Sequence, residues 1–313
     1  MEPLDITIVI PVKNEEKLIG DCLKSVGTDF CKKIIVIDSS STDRTCEIAE
    51  RLGAEVINFK WDGKFPKKRN WFLRNHTPTT KWVLFLDADE FLTEGFKKEL
   101  RSKIQKDSYV GFWLSYSIYF AGKKLRGGYP LQKLALFQVG AGEYERIKEQ
   151  HWSKLDMEIH EHPIVEGKVG KIKSKIDHRD FRSIEHYIQK QREYAKWESY
   201  RYLDLNPKSR LLLTAKQKLK YRLLTSPWVG PLYFLGSFIF LGGFRDGYTG
   251  LTFAFLKMAY FNEIYCRIKE LKSSCPSHLI PGQITGLKSK SSQKIKSRFP
   301  YLKRNTSAKI FPN

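Results

Sequence analysis

The sequence predicts an α/β fold: a mostly parallel sheet with helices on both faces, followed by a C-terminal helical region that associates with a membrane. Three observations carry this. Short continuous apolar runs alternate with helical patterns over residues 5–100, acidic residues stand at the ends of those runs, and a charge-free stretch at 227–244 lies ahead of a basic tail.

The first run, Ile6-Thr7-Ile8-Val9-Ile10, is rich in β-branched residues and closed by Pro11, which describes a buried strand. Asn14 is expected to cap a helix with Leu18, Ile19, Cys22, Leu23 and Val26 on one face, ending at Gly27. A second strand over 34–37 ends at Asp38 and passes through Ser39-Ser40-Ser41-Thr42-Asp43 into a helix carrying Ile48, Ala49 and Leu52, stopped by Gly53. A third strand is expected at 55–59, a basic helix at 67–74, and a fourth strand at 82–86 that runs into Asp87-Ala88-Asp89-Glu90. Residues 109–178 change character: Val110, Phe112, Leu114, Tyr116, Ile118 and Phe120 alternate with smaller or polar neighbours, so antiparallel edge strands are expected. Ser183 is placed to cap a long basic helix with Ile184, Tyr187, Ile188 and Ala195 on one side.

The charge-free stretch at 227–244 contains two prolines and four glycines and is closed by Arg245-Asp246, so a straight spanning helix is not expected. Apolar character resumes over 247–256. A helical pair or re-entrant segment in a membrane interface fits this pattern, with an ordinary buried hairpin as the alternative. From position 267 onward there are 11 Lys or Arg and one acid, Glu270, and the Ser, Lys and Pro content beyond Cys275 predicts a poorly ordered tail.

The chain has 313 residues, 41% of them hydrophobic, and a formal charge of +21, which suits an anionic partner and excludes a disordered or fibrous protein. Its five cysteines are odd in number and without a C-x-x-C pair, which argues against a disulfide framework or zinc knuckle. The opening residues read as a strand rather than a signal sequence, so export is not expected. No P-loop, dinucleotide fingerprint or H-E-x-x-H helix occurs.

What remains is acids at strand ends, where the ligand crevice of an open α/β sheet lies. Asp87 and Asp89, one small residue apart on an extended backbone, would turn both carboxylates to one side and offer oxygen ligands to a hard divalent cation. A solvated, helix-capping loop is the bland alternative. Asp38 could hydrogen-bond a pyrimidine imide, and Arg69 and Asn70 could reach base, ribose or phosphate, against plainer readings as a capping Asp and a wet helix face.

Four stretches occur in order: Ile8-Val9-Ile10-Pro11-Val12-Lys13-Asn14-Glu15-Glu16, Val36-Ile37-Asp38-Ser39-Ser40-Ser41-Thr42-Asp43-Arg44-Thr45, Trp61-Asp62-Gly63 and Phe85-Leu86-Asp87-Ala88-Asp89-Glu90. Together they resemble the family 2 glycosyltransferases of GT-A (Rossmann-like) fold. More narrowly the chain is similar to the branch of lipopolysaccharide inner-core β-glucosyltransferases, with looser similarity at Arg126-Gly127-Gly128-Tyr129-Pro130, Ile159-His160-Glu161 and 241–247.

That resemblance implies an inverting hexosyl transfer from a nucleotide-sugar, with a UDP-sugar as donor, Mg²⁺ or Mn²⁺ as cofactor, and a lipid-linked or lipopolysaccharide-type glycan as acceptor. Pro11, Asn14, Glu15, Asp38 and Arg69 would line the nucleotide site, Asp87 would contact nucleotide or ribose, Asp89 would hold the metal and Glu161 would be the base. The chain departs from the family pattern in offering two histidines, His160 and His162, around Glu161; His178 is a weaker ligand candidate.

The implied organisation is a GT-A domain over 1–180, with a donor half at about 5–100 and an acceptor and catalytic half at 101–180. A helical region over 181–272 with an apolar interfacial segment at 227–256 and a basic tail over 273–313 complete it. The expected setting is the cytoplasmic side of the inner membrane, bound to an anionic surface, with no nucleic acid as partner. Two alternatives stand beside it: a glycosyltransferase acting on a protein or soluble glycan, and a non-catalytic basic protein binding membrane or nucleic acid. The last explains the charge but leaves the strand-end acids without a role, since carboxylates repel phosphates unless a cation intervenes.

Overall fold

The computed structural model describes residues 2–105, 108–147, 149, 152, 153, 155, 156, 163–205, 210, 213 and 215–274. Four parallel strands form the first half of the main sheet: β1 (Leu4–Val12), β2 (Cys31–Asp38), β3 (Glu55–Asn58) and β4 (Trp82–Phe85), in spatial order β3-β2-β1-β4. They are joined by α1 (Ile19–Val26), α2 (Thr45–Arg51) and α3 (Lys68–Asn75). Alternation along β1 sends Ile6, Ile8, Ile10 and Val12 into a core with Ile19, Cys22, Leu23 and Val26 of α1, while Val9 faces a second core containing Phe72 of α3. Helices therefore cover both faces, as a sheet of near-continuous apolar strands requires.

The chain then leaves β4, forms β5 (Glu90–Phe91) at the far edge of the sheet, and enters α4 (Glu94–Ile104), whose first turn is capped by Thr93 Oγ1 accepting from Phe96 N at 3.2 Å. β6 (Gly111–Phe120), the short β7 (Lys123–Lys124), β8 (Gln132–Gln138) and β11 (Val169–His178) fill the space between, in the order β4-β8-β6-β11-β5, with β7 paired to β6. The expectation of antiparallel edge strands here is corrected. β8 is antiparallel to both its neighbours, but β6 and β11 are parallel to each other and lie inside the sheet. The alternation marks one apolar face, Phe112, Leu114, Tyr116, Ile118 and Phe120, and α4 packs Phe96 and Leu100 into the same core. β9 (Gly142–Tyr144) and β10 (Pro163–Val165) form a separate antiparallel pair.

Ser183 does cap α5 (Ile184–Asp204), accepting from His186 N at 3.1 Å. Its buried side carries Tyr187, Gln191 and Ala195, whereas Ile184 and Ile188 are exposed. α6 (Ala215–Leu224), α7 (Val229–Leu235), a π turn at Gly236–Phe240, a 3₁₀ turn at Gly243–Asp246 and α8 (Gly247–Ser274) complete the described chain. Ala195 and Tyr202 of α5, Leu224 of α6, Val229 of α7 and Ile264 and Ile268 of α8 make a third core. Phe253 of α8 joins this region to the sheet, packing on Phe120 at 5.2 Å between ring centroids.

Among the described residues no helix is long and apolar enough to cross a membrane. The segment that the sequence marks as interfacial is helical and two-sided. Val229, Gly230, Phe253 and Ala254 are buried, while Trp228, Leu232, Ile239, Phe240, Phe244 and Tyr248 are exposed, Phe240 and Tyr248 each by 84%. The basic tail beyond residue 274 lies outside the described residues.

Candidate active site

The loops after β1 and β2 are tied together. Asn14, expected as a helix cap, adopts φ 55° outside any helix; its backbone N–H donates to Ser41 Oγ at 2.8 Å and its Oδ1 accepts from Thr42 N at 2.8 Å. Helix α1 starts five residues later behind Leu18, which supplies no side-chain cap. Asp38, almost fully buried, accepts from Ser41 N at 2.9 Å, and Glu15 N donates to Thr45 Oγ1 at 2.8 Å. Pro11 sits within β1 opposite Ile37, so the strand continues past it. The Glu15 carboxylate pairs with Arg182, and burial nonetheless pushes its pKa up.

Helix α3 brings cations beneath these loops. Lys68 Nζ donates to Val12 O at 3.0 Å and lies 3.5 Å from Asp156, while Lys67 pairs with Glu149. Arg69 Nη2 donates to Asp87 Oδ1 at 2.6 Å, and its guanidinium lies over the Tyr144 ring at 5.2 Å. Asn70 is buried and exchanges hydrogen bonds with the Tyr144 backbone, which makes it a brace for β9.

The two acids of Asp87-Ala88-Asp89 do not share a side, because the backbone turns at Ala88 and Asp89 instead of staying extended. Asp87 faces Arg69 and Lys133, whose Nζ lies 2.8 Å from its Oδ2 and 2.5 Å from Glu90 Oε1. Burial opposes ionisation of Asp87, but Lys133 and Arg69 outweigh it and hold the carboxyl well below the usual range. Burial pushes Glu90 up to about 7 even with Lys133 against it.

Asp89 turns the other way, towards β11. The β5–β11 pairing sets His178 opposite Glu90, and Arg179 N donates to Asp89 O at 2.8 Å. His178 Nε2 is thereby held 3.5 Å from Asp89 Oδ1, and Asp180 follows two residues on. One ligand atom from each of Asp89, His178 and Asp180 lies within 4.8 Å of the others. Asp89 Oδ1 and His178 Nδ1 are buried without a hydrogen-bond partner among the described residues. Burial lowers the His178 pKa, which favours the neutral imidazole a metal requires. Lys190 from α5 counters the two acids, with Nζ 2.5 Å from Asp180 Oδ1 and 3.9 Å from Asp89 Oδ2. Two carboxylates, one of them with an orphaned buried oxygen, and one imidazole fit a divalent cation of the Mg²⁺ or Mn²⁺ type.

The structure thus assembles Glu15, Asp38, Arg69, Asp87 and Asp89 at the carboxyl ends of the strands, with Pro11 and Asn14 in the adjoining segment. It raises His178 from a weak candidate to a member of the ligand cluster. Asp180, Lys133 and Lys190 were missed; the only signal for Asp180 was its place in Asp177-His178-Arg179-Asp180 at the end of an apolar alternation. His160, Glu161 and His162 lie outside the described residues.

The turn after β7 is clamped to the C-terminal helices. The Asp246 carboxylate accepts from Arg126 N at 2.9 Å and Gly127 N at 3.1 Å, and Gly128 N donates to Leu241 O at 2.9 Å. Gly127 is required by this approach, since a Cβ there would come within 2.4 Å of Gly242 O.

Residues 7–156, just under half of the chain, match the family model described as Glycosyl transferase family 2. An uncharacterized glycosyltransferase of Rickettsia typhi is 25% identical over 86% of this chain and 90% of its own length. Glycosyltransferase SunS, from the SPbeta prophage of Bacillus subtilis, is 40% identical over 34% of this chain, which spans only 24% of that relative. Several of the relatives are thus much longer than the stretch they share with this chain. Glucosyl-3-phosphoglycerate synthase from Mycobacterium tuberculosis, solved with Mn²⁺, UDP and glucosyl-3-phosphoglycerate, is 23% identical over 37% of this chain and 44% of its own, with a TM-score of 0.29.

Proposed function

We propose that this protein is an inverting glycosyltransferase that moves a hexose from a nucleotide-sugar, a UDP-sugar by the resemblance described above, to a hydroxyl of a lipid-linked or lipopolysaccharide-type glycan. The supporting observation is the Asp89–His178–Asp180 cluster, set at the strand ends of a family 2 glycosyltransferase domain beside the loops that hold Asp38 and Glu15. These three side chains would hold a divalent cation, which supplies charge stabilisation to the departing diphosphate. Asp87 keeps Arg69 and Lys133 in place around the nucleotide, and Asp38 and the Asn14 turn shape its base and ribose end. Glu161 is assigned, from the resemblance alone, to take the proton from the acceptor hydroxyl as that oxygen bonds to the anomeric carbon and the bond to the diphosphate breaks.

The bare apolar face of 227–256 supports this acceptor and setting. Trp228, Leu232, Ile239, Phe240, Phe244 and Tyr248 are exposed on elements that pack their other side onto the domain. With the basic residues from 267 onward, this face supplies both apolar area and positive charge for an anionic bilayer, at the cytoplasmic side of the inner membrane.

The experiment is a thermal-unfolding screen of nucleotide-sugars with Mn²⁺ or Mg²⁺ present and then chelated. A UDP-hexose should raise Tm only with the metal. If no nucleotide-sugar stabilises the protein under either condition, the reading is wrong.

A further inference from the structure

We propose that Lys257 forms an oxyanion subsite on the acceptor side of the cleft, shaped for a phosphate or carboxylate group carried by the acceptor. The proposal rests on the reading of the neighbouring cluster as the donor centre. Lys257 projects from α8 into a ring of aromatics, with Nζ 5.1 Å from the centroid of Tyr129, 5.4 Å from Tyr260, 5.8 Å from Phe253 and 6.0 Å from Tyr187. Its hydrogen-bond partner is Gln191 Oε1 at 3.0 Å. An ammonium has three N–H donors, so two remain for a ligand.

What sets this lysine apart is charge compensation. Lys67 meets Glu149, Lys68 meets Asp156, Lys133 meets Asp87 and Glu90, and Lys190 meets Asp180. Among the described residues Lys257 meets no carboxylate. Aromatic faces, one amide oxygen and the more distant charge of Asp180 offset only part of the loss of water around this half-buried cation, and burial pushes its pKa down to about 8. Packing alone would be better served by Met or Leu, so a cation held here without an ion-pair partner points to an anion supplied from outside.

A second observation lies beside it. The hydroxyl of Tyr187, a residue only 6% exposed, is buried without a hydrogen-bond partner among the described residues. An oxyanion bridging Lys257 and Tyr187 would satisfy both groups.

The location fits an acceptor. Tyr187, Lys190 and Gln191 share one face of α5; Lys190 reaches Asp180 and Asp89, and the adjacent Gln191 holds Lys257. The subsite and the cation cluster are therefore reached from adjacent positions of α5. Tyr129 closes it from the turn that Asp246 clamps.

The test is thermal unfolding of the full chain with chelator present, titrated with inorganic phosphate and separately with acetate, at ionic strength held constant with chloride. The expected result is a saturable rise in Tm with at least one of the two anions, and the preferred anion distinguishes a phosphate from a carboxylate group. Lys257→Met should abolish the rise, Lys257→Arg should keep it, and Tyr187→Phe should weaken apparent affinity about tenfold, the usual loss for a hydrogen bond to a charged group. Asp89→Asn should leave the response intact, which separates this site from the donor centre. An unchanged response in Lys257→Met, or no response to either anion in the parent protein, overturns the proposal. Stabilisation of Lys257→Met by Mn²⁺ and a UDP-hexose reads the donor centre independently, so either idea can fail alone.

Discussion

Replacing Asp246 by Ala removes the acceptor for two backbone donors, Arg126 N and Gly127 N, both of which now meet a buried carboxylate. A hydrogen bond to a charged group contributes about 1.5–3 kcal/mol, so the pair sets a ceiling of about 3–6 kcal/mol. Arg126 is exposed, and water can satisfy its N–H once the clamp opens, which leaves about 3 kcal/mol as the expected loss. For a chain of this size that corresponds to a fall of about 5 °C in Tm. Asp246→Asn keeps one oxygen as acceptor and should lose roughly half as much. Chemical denaturation measures the stability, and hydrogen exchange at residues 126–128 locates the change, which should be fast exchange there with β1 and β2 still protected. A loss below about 0.5 kcal/mol in the Ala variant, the size expected of an ordinary surface change, would refute the claim that this carboxylate holds the turn to the C-terminal helices.

Asp89→Asn should abolish Mn²⁺-dependent stabilisation by a nucleotide-sugar and transfer with it, while circular dichroism stays that of the parent; metal-dependent turnover in this variant would remove Asp89 from the ligand set. Glu161→Gln should bind donor normally and slow transfer by about two to four orders of magnitude, as expected for loss of a general base. Phe240→Glu with Phe244→Glu should release the protein from anionic vesicles in a sedimentation assay without lowering Tm, since both rings are exposed. Lys257, held at about 8 when folded against 10.5 as its ordinary value, gives up its proton on folding between those limits. Its burial therefore penalises folding fully below pH 8, and the penalty fades as pH rises to 10.5. Lys257→Met should accordingly be more stable than the parent at pH 7, with the difference shrinking by pH 10 in parallel denaturation curves.

The strands of the donor half were legible because buried parallel strands leave continuous β-branched runs, and the acids at their ends were legible because nothing in such a sheet otherwise needs them. The middle of the chain was harder. Alternation along 110–120 describes a strand equally well at an edge or in the interior, and only the return of β11 beside β6, about fifty residues later in the chain, decides between them. Separation along the chain also hid the candidate cation cluster. Spacing within Asp87-Ala88-Asp89 suggested a shared pair, whereas Asp87 is drawn away by Lys133 and Arg69, and Asp89 finds its partners across the β5–β11 pairing. Asn14 misled for a local reason: its side chain serves the Ser41-Thr42 turn, a pattern that single-sequence spacing cannot separate from a helix cap.

The cation cluster also bears on how the chain can be cut. The family match ends at residue 156, ahead of β11 and of both His178 and Asp180. A fragment trimmed to that boundary would retain every strand-end acid of the donor half yet keep a single member of the ligand set, and β6 would lose its parallel neighbour. During synthesis the same order holds: the loops after β1 and β2 are complete long before the ribosome has delivered His178 and Asp180. The centre closes late, and its closure reports that the sheet has been finished.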